Sequence, residues 1–254
     1  MTSRTRVIIA AVSSAVVLLA VVGIILAFGL IPVPEYPSLA ENPDPSIPGT
    51  VAYSTFEERD GEFGRECVYV VPAGGGDARL LSCGQEFGFA LAWTADGLLA
   101  TESFEFGPAI VVLDPQTGQE VDRIDFTGGF NGEPPDEEIF SLVHIDRSRR
   151  PDGARVETGR EHGPGSSITV RLPDGTTHEL ISVTEAPPSY AFFESQWSPD
   201  GQFVLTADSE GRLIVIRAEG APEPRVLADR HEGHGAAAWY IPGNPTYTVE
   251  LPKD

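Results

Sequence analysis

Lysine is all but missing from this chain: Lys253 is the only one, and arginine supplies every other cation. Together the two cations number 17 against 38 acidic residues, a formal net charge of −21. Such a surface repels nucleic acid phosphates and anionic headgroups, so no nucleic acid partner is expected. Cysteine occurs only as Cys67 and Cys83, with no C-x-x-C spacing, which argues against a redox or zinc motif. A G-x-S-x-G elbow is also missing, since Gly163-Pro164-Gly165-Ser166-Ser167 does not supply it, and a serine hydrolase of that design is disfavoured. The closest approach to a metal cluster is His231, Glu232 and His234; it lacks the H-E-x-x-H spacing and reads as a polar connection. Neither a metal nor a cofactor is expected, and beyond residue 30 no long stretch carries helical periodicity.

What is present begins with a hydrophobic leader. Residues 7–30 are 24 consecutive positions without a charge, which as a helix would reach roughly 36 Å, enough for a hydrocarbon core of about 30 Å. A cleavable signal has a shorter apolar region and a small-x-small site, and neither is clear around Ala27, Phe28 and Gly29. The segment therefore reads as an uncleaved, single-pass signal anchor in the plasma membrane. Arg4 and Arg6 precede it and Glu35, Glu41 and Asp44 follow it, which places residues 1–6 in the cytoplasm and the rest outside. Residues 31–50 hold Pro32, Pro34, Pro37, Pro43, Pro45 and Pro48, the composition of an extended stalk. Residues 51–254 form the extracytoplasmic domain.

That domain reads as all-β, because short alternating or β-branched runs are separated by turn residues. A pentad recurs within it. All three tryptophans stand four residues before a glycine: Trp93-Thr94-Ala95-Asp96-Gly97, Trp197-Ser198-Pro199-Asp200-Gly201 and Trp239-Tyr240-Ile241-Pro242-Gly243. Arg149-Arg150-Pro151-Asp152-Gly153 is a weaker copy without Trp, and the four glycines lie 56, 48 and 42 residues apart. Periods of about 40–50 residues suit four-stranded propeller blades. Pro199 presets φ, Asp96, Asp152 and Asp200 cap the turn, and the glycine accepts left-handed geometry. The tryptophan ends an inner strand and wedges between neighbouring sheets. After Gly97 strands are expected over 98–103, 109–114 and 120–124; after Gly153 over 154–159, 167–172 and 177–182; after Gly201 over 202–207, 212–217 and 224–228.

Residues 197–228, with their W-S-P-D-G start, resemble the repeat of TolB-type, WD-repeat-like β-propellers, and residues 93–124 resemble a degenerate second copy. The resemblance implies a β-propeller; TolB-type propellers usually have six blades, whereas this chain has room for a small one of four or five, closed or incomplete, preceded by the one transmembrane helix read above. It also implies closure by strands from both chain ends: residues 236–241 would be the inner strand of the blade that begins near 49–55, leaving 247–251 as a surplus strand.

In that first blade, pairing Val71 with Arg79 sets Tyr69 opposite Leu81 and Cys67 opposite Cys83, within disulfide range. The longest insertion between repeats, 126–140, carries Glu133, Asp136, Glu137 and Glu138, a candidate docking loop for a basic partner or a divalent cation. The chemistry that is missing points to a noncatalytic module, tethered to the membrane through residues 7–30, that binds a protein or an envelope ligand. The alternative is a hydrolase or lyase of an envelope polymer that uses carboxylates in the propeller channel.

Overall fold

A computed structural model describes residues 39, 44–59, 62–84, 87–103, 109–125, 142–159, 166–183, 190–229 and 235–252. They belong to one compact unit that begins at Pro37. The leader lies outside the described residues, and among those described no helix is long and apolar enough to cross a membrane.

The described residues are all-β. The strands are β1 (Thr50–Arg59), β2 (Glu62–Pro72), β3 (Arg79–Gly84), β4 (Phe87–Thr94), β5 (Leu99–Ser103), β6 (Ala109–Leu113), β7 (Glu120–Asp125) and β8 (Arg155–Gly159). They continue with β9 (Ser166–Arg171), β10 (Thr177–Val183), β11 (Phe192–Trp197), β12 (Phe203–Asp208), β13 (Arg212–Arg217), β14 (Arg225–Asp229), β15 (Ala237–Tyr240) and β16 (Thr248–Val249). These make four sheets: β15-β1-β2-β3 (sheet I), β16-β4-β5-β6-β7 (sheet II), β10-β9-β8 (sheet III) and β11-β12-β13-β14 (sheet IV).

Local sequence explains the order within each sheet. Central strands such as β6 (Ala-Ile-Val-Val-Leu) and β12 are buried along their whole length, because a neighbouring sheet covers each face. The outer strand β7 is polar and open to solvent. Between strands, Asp and Gly make the reversals: Asp114 Oδ1 accepts from Gln116 N at 2.7 Å, and Asp174 Oδ1 from Thr176 N at 2.9 Å.

Sheets meet their neighbours in chain order and the last meets the first. One apolar cluster joins Ile168, Val170 and Leu180 of sheet III to Trp197, Val204 and Ile214 of sheet IV. A second joins Leu205, Leu213 and Val215 of sheet IV to Val51, Val71 and Trp239 of sheet I. A third joins Ala52, Val68 and Leu81 of sheet I to Leu91, Trp93 and Val111 of sheet II. The fourth packs Val143 and Ile145, just ahead of sheet III, on Ala92, Ala100 and Ile110 of sheet II. The fold is propeller-like.

The closing strand falls where the sequence puts it: β15 pairs antiparallel with β1, Thr50 opposite Tyr240 and Tyr53 opposite Ala237. Three details differ from expectation. β2 and β3 pair Cys67 with Cys83, but a bulge then sets Tyr69 opposite Leu80, and Val70 instead of Val71 opposite Arg79. The extra residue turns Leu81 into the core at 9 % exposure and leaves Leu80 outside at 49 %. The surplus strand is two residues long and adds to sheet II, parallel to β4, with Thr248 opposite Trp93. Sheet III has no inner strand of its own: residues 142–149 run there with a single bridge, Arg149 to Arg155, and a bond from Val156 N to the Ser148 carbonyl.

Candidate functional site

The pentads terminate the inner segments. Ser198 Oγ donates to Asp200 Oδ1 at 2.6 Å and accepts from Phe203 N at 2.9 Å, while Gln202 N also reaches Asp200. Thr94 does the work of Ser198 in sheet II, its Oγ1 accepting from Leu98 N at 3.0 Å. Asp152 Oδ1 accepts from Ala154 N at 3.0 Å, and the Arg150 guanidinium beside it holds its carboxyl at about 2. Gly97, Gly153, Gly201 and Gly243 all have positive φ, as such turns require. Pro199 lies between the Ser198 and Asp200 partners of this network.

Each tryptophan is buried against the preceding sheet. Trp93 Nε1 donates to the Ala238 carbonyl at 3.0 Å, and Trp239 Nε1 to the Pro48 carbonyl at 2.9 Å. Trp197 Nε1 is buried without a hydrogen-bond partner among the described residues. Its sheet follows sheet III, where the regular inner strand that could offer a carbonyl is missing. Arg150 lies over the Trp197 ring at 4.8 Å and donates to the Gly201 carbonyl.

Cys67 and Cys83 form a disulfide with Cα atoms 4.1 Å apart. Glu133, Asp136, Glu137 and Glu138 lie outside the described residues, as do His231, Glu232 and His234. Among the described residues no group of three acidic, His or Cys side chains is placed to hold a metal ion.

The described sequence candidates are spread around the rim and in sheet I; none of them lines the space in the middle. There the inner segments of all four sheets line an open cavity of about 440 Å³, bordered by Ala90 and Leu91 of β4, residues 143–148, Glu194 to Gln196 of β11, and Ala236 with Ala237. On its wall Arg147 Nη2 donates to the Leu91 carbonyl of neighbouring β4 at 2.6 Å, while the Arg147 carbonyl accepts from Trp197 N. Burial pushes the Arg147 guanidinium down to about 10, which leaves it charged at neutral pH. Gln196 Nε2 donates to the Ala237 carbonyl at 3.0 Å, and its Oε1 is buried with no partner. Glu194 has φ of 51° within a bulge that shifts the register between Phe193 and Gln196, the kind of irregularity that re-aims side chains beside a site.

A second polar group borders the cavity. His144, on its wall, lies 2.9 Å from Glu102 Oε1, and the Glu102 side chain is 5 % exposed. Glu66 on β2 is buried as well; desolvation pushes its carboxyl up to about 7, the Glu102 charge adds to the rise, and the Ser54 hydroxyl opposes it. Glu66 and Glu102 are not part of the cavity lining.

Sequence reasoning missed these residues, although the pentads point to them. Two positions before the first residue of each pentad stand Leu91, Arg147, Ser195 and Ala237. All four line the cavity, and Arg147 is the only charged one.

No family model matches this chain. No curated protein matches it either. Similar solved structures include TolB, a β-propeller, from Acinetobacter baumannii, 19 % identical over 71 % of this chain and 41 % of that one, TM-score 0.26. Another is dipeptidyl peptidase 4 from Porphyromonas gingivalis, 18 % identical over 65 % and 23 %, TM-score 0.25. A puromycin hydrolase is 16 % identical over 74 % and 30 %, TM-score 0.21. The chain spans less than half the length of each. Strand pairing, not these likenesses, carries the description of the fold.

Proposed function

We propose that this chain is a four-bladed β-propeller, tethered to the plasma membrane by residues 7–30 and facing out of the cytoplasm, whose channel binds a protein or envelope ligand without transforming it. The cavity carries the reading. Four inner segments converge on about 440 Å³, a size typical of ligand sites, and closure of β15 onto β1 gives that space fixed walls. The buried polar atoms there, Arg147 Nε and Gln196 Oε1, have no hydrogen-bond partner among the described residues. Such atoms cost free energy unless something else satisfies them.

The competing reading is a hydrolase or lyase of an envelope polymer. It draws on Glu66, whose pKa near 7 suits an acid–base catalyst. Geometry weighs against it, since Glu66 is 5 % exposed and does not line the cavity. A catalyst must reach the atom it protonates.

The test is photo-crosslinking in intact cells, with a crosslinkable residue at His144 on the cavity wall and, as control, at Thr177 on outer strand β10. Adducts are expected at His144 and not at Thr177. Equal labelling at both positions, or none at either, would count against a channel site.

A further inference from the structure

The geometry points to a carboxylate as the group the channel takes, held by the Arg147 guanidinium, with Gln196 Oε1 accepting from an N–H or O–H of the same ligand. This rests on the reading of the channel as a binding site.

Arg147 differs from the arginines whose side chains meet acids. Arg150 pairs with Asp152, Arg212 with Asp208, Arg171 with Glu157, Arg225 with Glu223 and Arg123 with Glu120. Arg147 has no such pair among the described residues; its one hydrogen bond is to the Leu91 carbonyl, and Nε is buried and unpartnered. In a chain with 38 acidic residues against 17 basic ones, a half-buried arginine with no acid ion pair among the described residues is the anomaly. A buried charge is costly until an anion or a set of hydrogen bonds compensates it, and a guanidinium presents a planar fork of donors that fits a carboxylate.

Gln196 supplies the complement. It is 6 % exposed, and the Ala237 carbonyl fixes its Nε2, so the Oε1 lone pairs are left for a donor. The two groups sit on adjoining walls: the Arg147 carbonyl accepts from Trp197 N, next in sequence to Gln196. An acceptor pair for Arg147 and a nearby donor for Gln196 describe the C-terminus of a peptide, or an N-acylated amino acid.

The same walls select against higher charge. Asp146 and Glu194 also line the cavity. Asp146 is turned onto Ser148, accepting from its Oγ at 2.6 Å and its N at 3.1 Å; the hydroxyl bond is the main cause that lowers its pKa, with Arg155 and Arg149 adding to it. Asp146, engaged by Ser148, does not pair with Arg147, and both carboxylates raise the cost of a second anionic group. The site is therefore suited to one carboxylate and not to a phosphate dianion.

The test is calorimetric titration of the full-length chain in detergent micelles with N-acetylglycine, triglycine, the C-terminal amide of each, and inorganic phosphate. Saturable binding of the acids is expected, with the amides and phosphate weaker by roughly tenfold or more, as loss of a charge-assisted, bidentate contact implies. Tighter binding of triglycine than of N-acetylglycine assigns the site to peptide ends, and the reverse assigns it to small acylated acids. Arg147→Met should abolish acid binding. Arg147→Lys keeps the charge but not the fork and should weaken it roughly tenfold, so it decides the matter if the Met variant does not fold. Acids and amides that bind equally, phosphate that binds as well as the acids, or affinity unchanged in Arg147→Lys would each overturn the proposal. Absence of all binding alongside specific crosslinks at His144 would sink the carboxylate assignment and leave the binding module standing. Cleavage of triglycine during the titration would instead overturn the noncatalytic reading.

Discussion

Glu66 is the residue on which stability should depend most visibly on pH. Its folded pKa of about 7 lies above the ordinary value of 4.5, because burial disfavours the charged form. Folding therefore favours the protonated carboxyl. The stabilisation is fully present below about 4.5 and is lost as pH rises through 7. Glu66→Gln keeps the shape and removes the titration. We expect it to raise the unfolding free energy at pH 8 by on the order of 2–3 kcal/mol and to leave it unchanged at pH 4. Denaturant melts of both proteins at the two pH values check this; an equal effect at both would mean that packing, not charge, sets the difference.

At the scale of elements, β15 is the piece that joins the first sheet to the last. Gly49 lies where it meets the start of β1. Its φ is +96°, and a Cβ there would lie 2.2 Å from the Tyr240 carbonyl oxygen. Gly49→Ala should therefore destabilise the domain by roughly 2 kcal/mol or more, through left-handed strain and displacement of β15. The check is a thermal melt, with Gly220→Ala, also at positive φ but in open space, as the control that carries the strain alone. Most elements were legible because turn chemistry punctuates the chain: Asp174-Gly175 and Asp208-Ser209-Glu210-Gly211 separate the strands that flank them. The Cys67–Cys83 pairing holds although the register expected at the hairpin turn does not: Val70 instead of Val71 faces Arg79, and the bulge restores the offset before the cysteines. Three things were not legible. A bulge at Val68 and Tyr69 leaves no local signal; a strand over 247–251 was expected, but its short length and its parallel partner β4 were not; and sheet III lost its inner ladder in a stretch whose pentad begins with Arg149 in place of Trp. The cavity was hidden for a different reason. Arg147 and Leu91 are 56 residues apart, and only the assembled sheets bring them together.

For the whole molecule, the proposed topology has its own test. Residues 7–30 with Arg4 and Arg6 before them and 38 acidic residues after them should hold the C-terminal part outside the cytoplasm. A phosphatase reporter fused after Asp254 should be active and a fluorescent reporter that needs cytoplasmic folding should be dark; the opposite pair of results would reverse the orientation. The pairing of β15 with β1 bears on how such a chain reaches its finished state. Residues 50–53 and 237–240 form one ladder, and β16 adds to β4, so a nascent polypeptide can fold sheets III and IV as they emerge but cannot complete sheets I and II until residues 237–249 have been made. A product that stops before residue 236 would expose an unsealed β1 margin and lack the Ala236–Ala237 wall of the pocket, so binding competence would itself report that synthesis had passed this point.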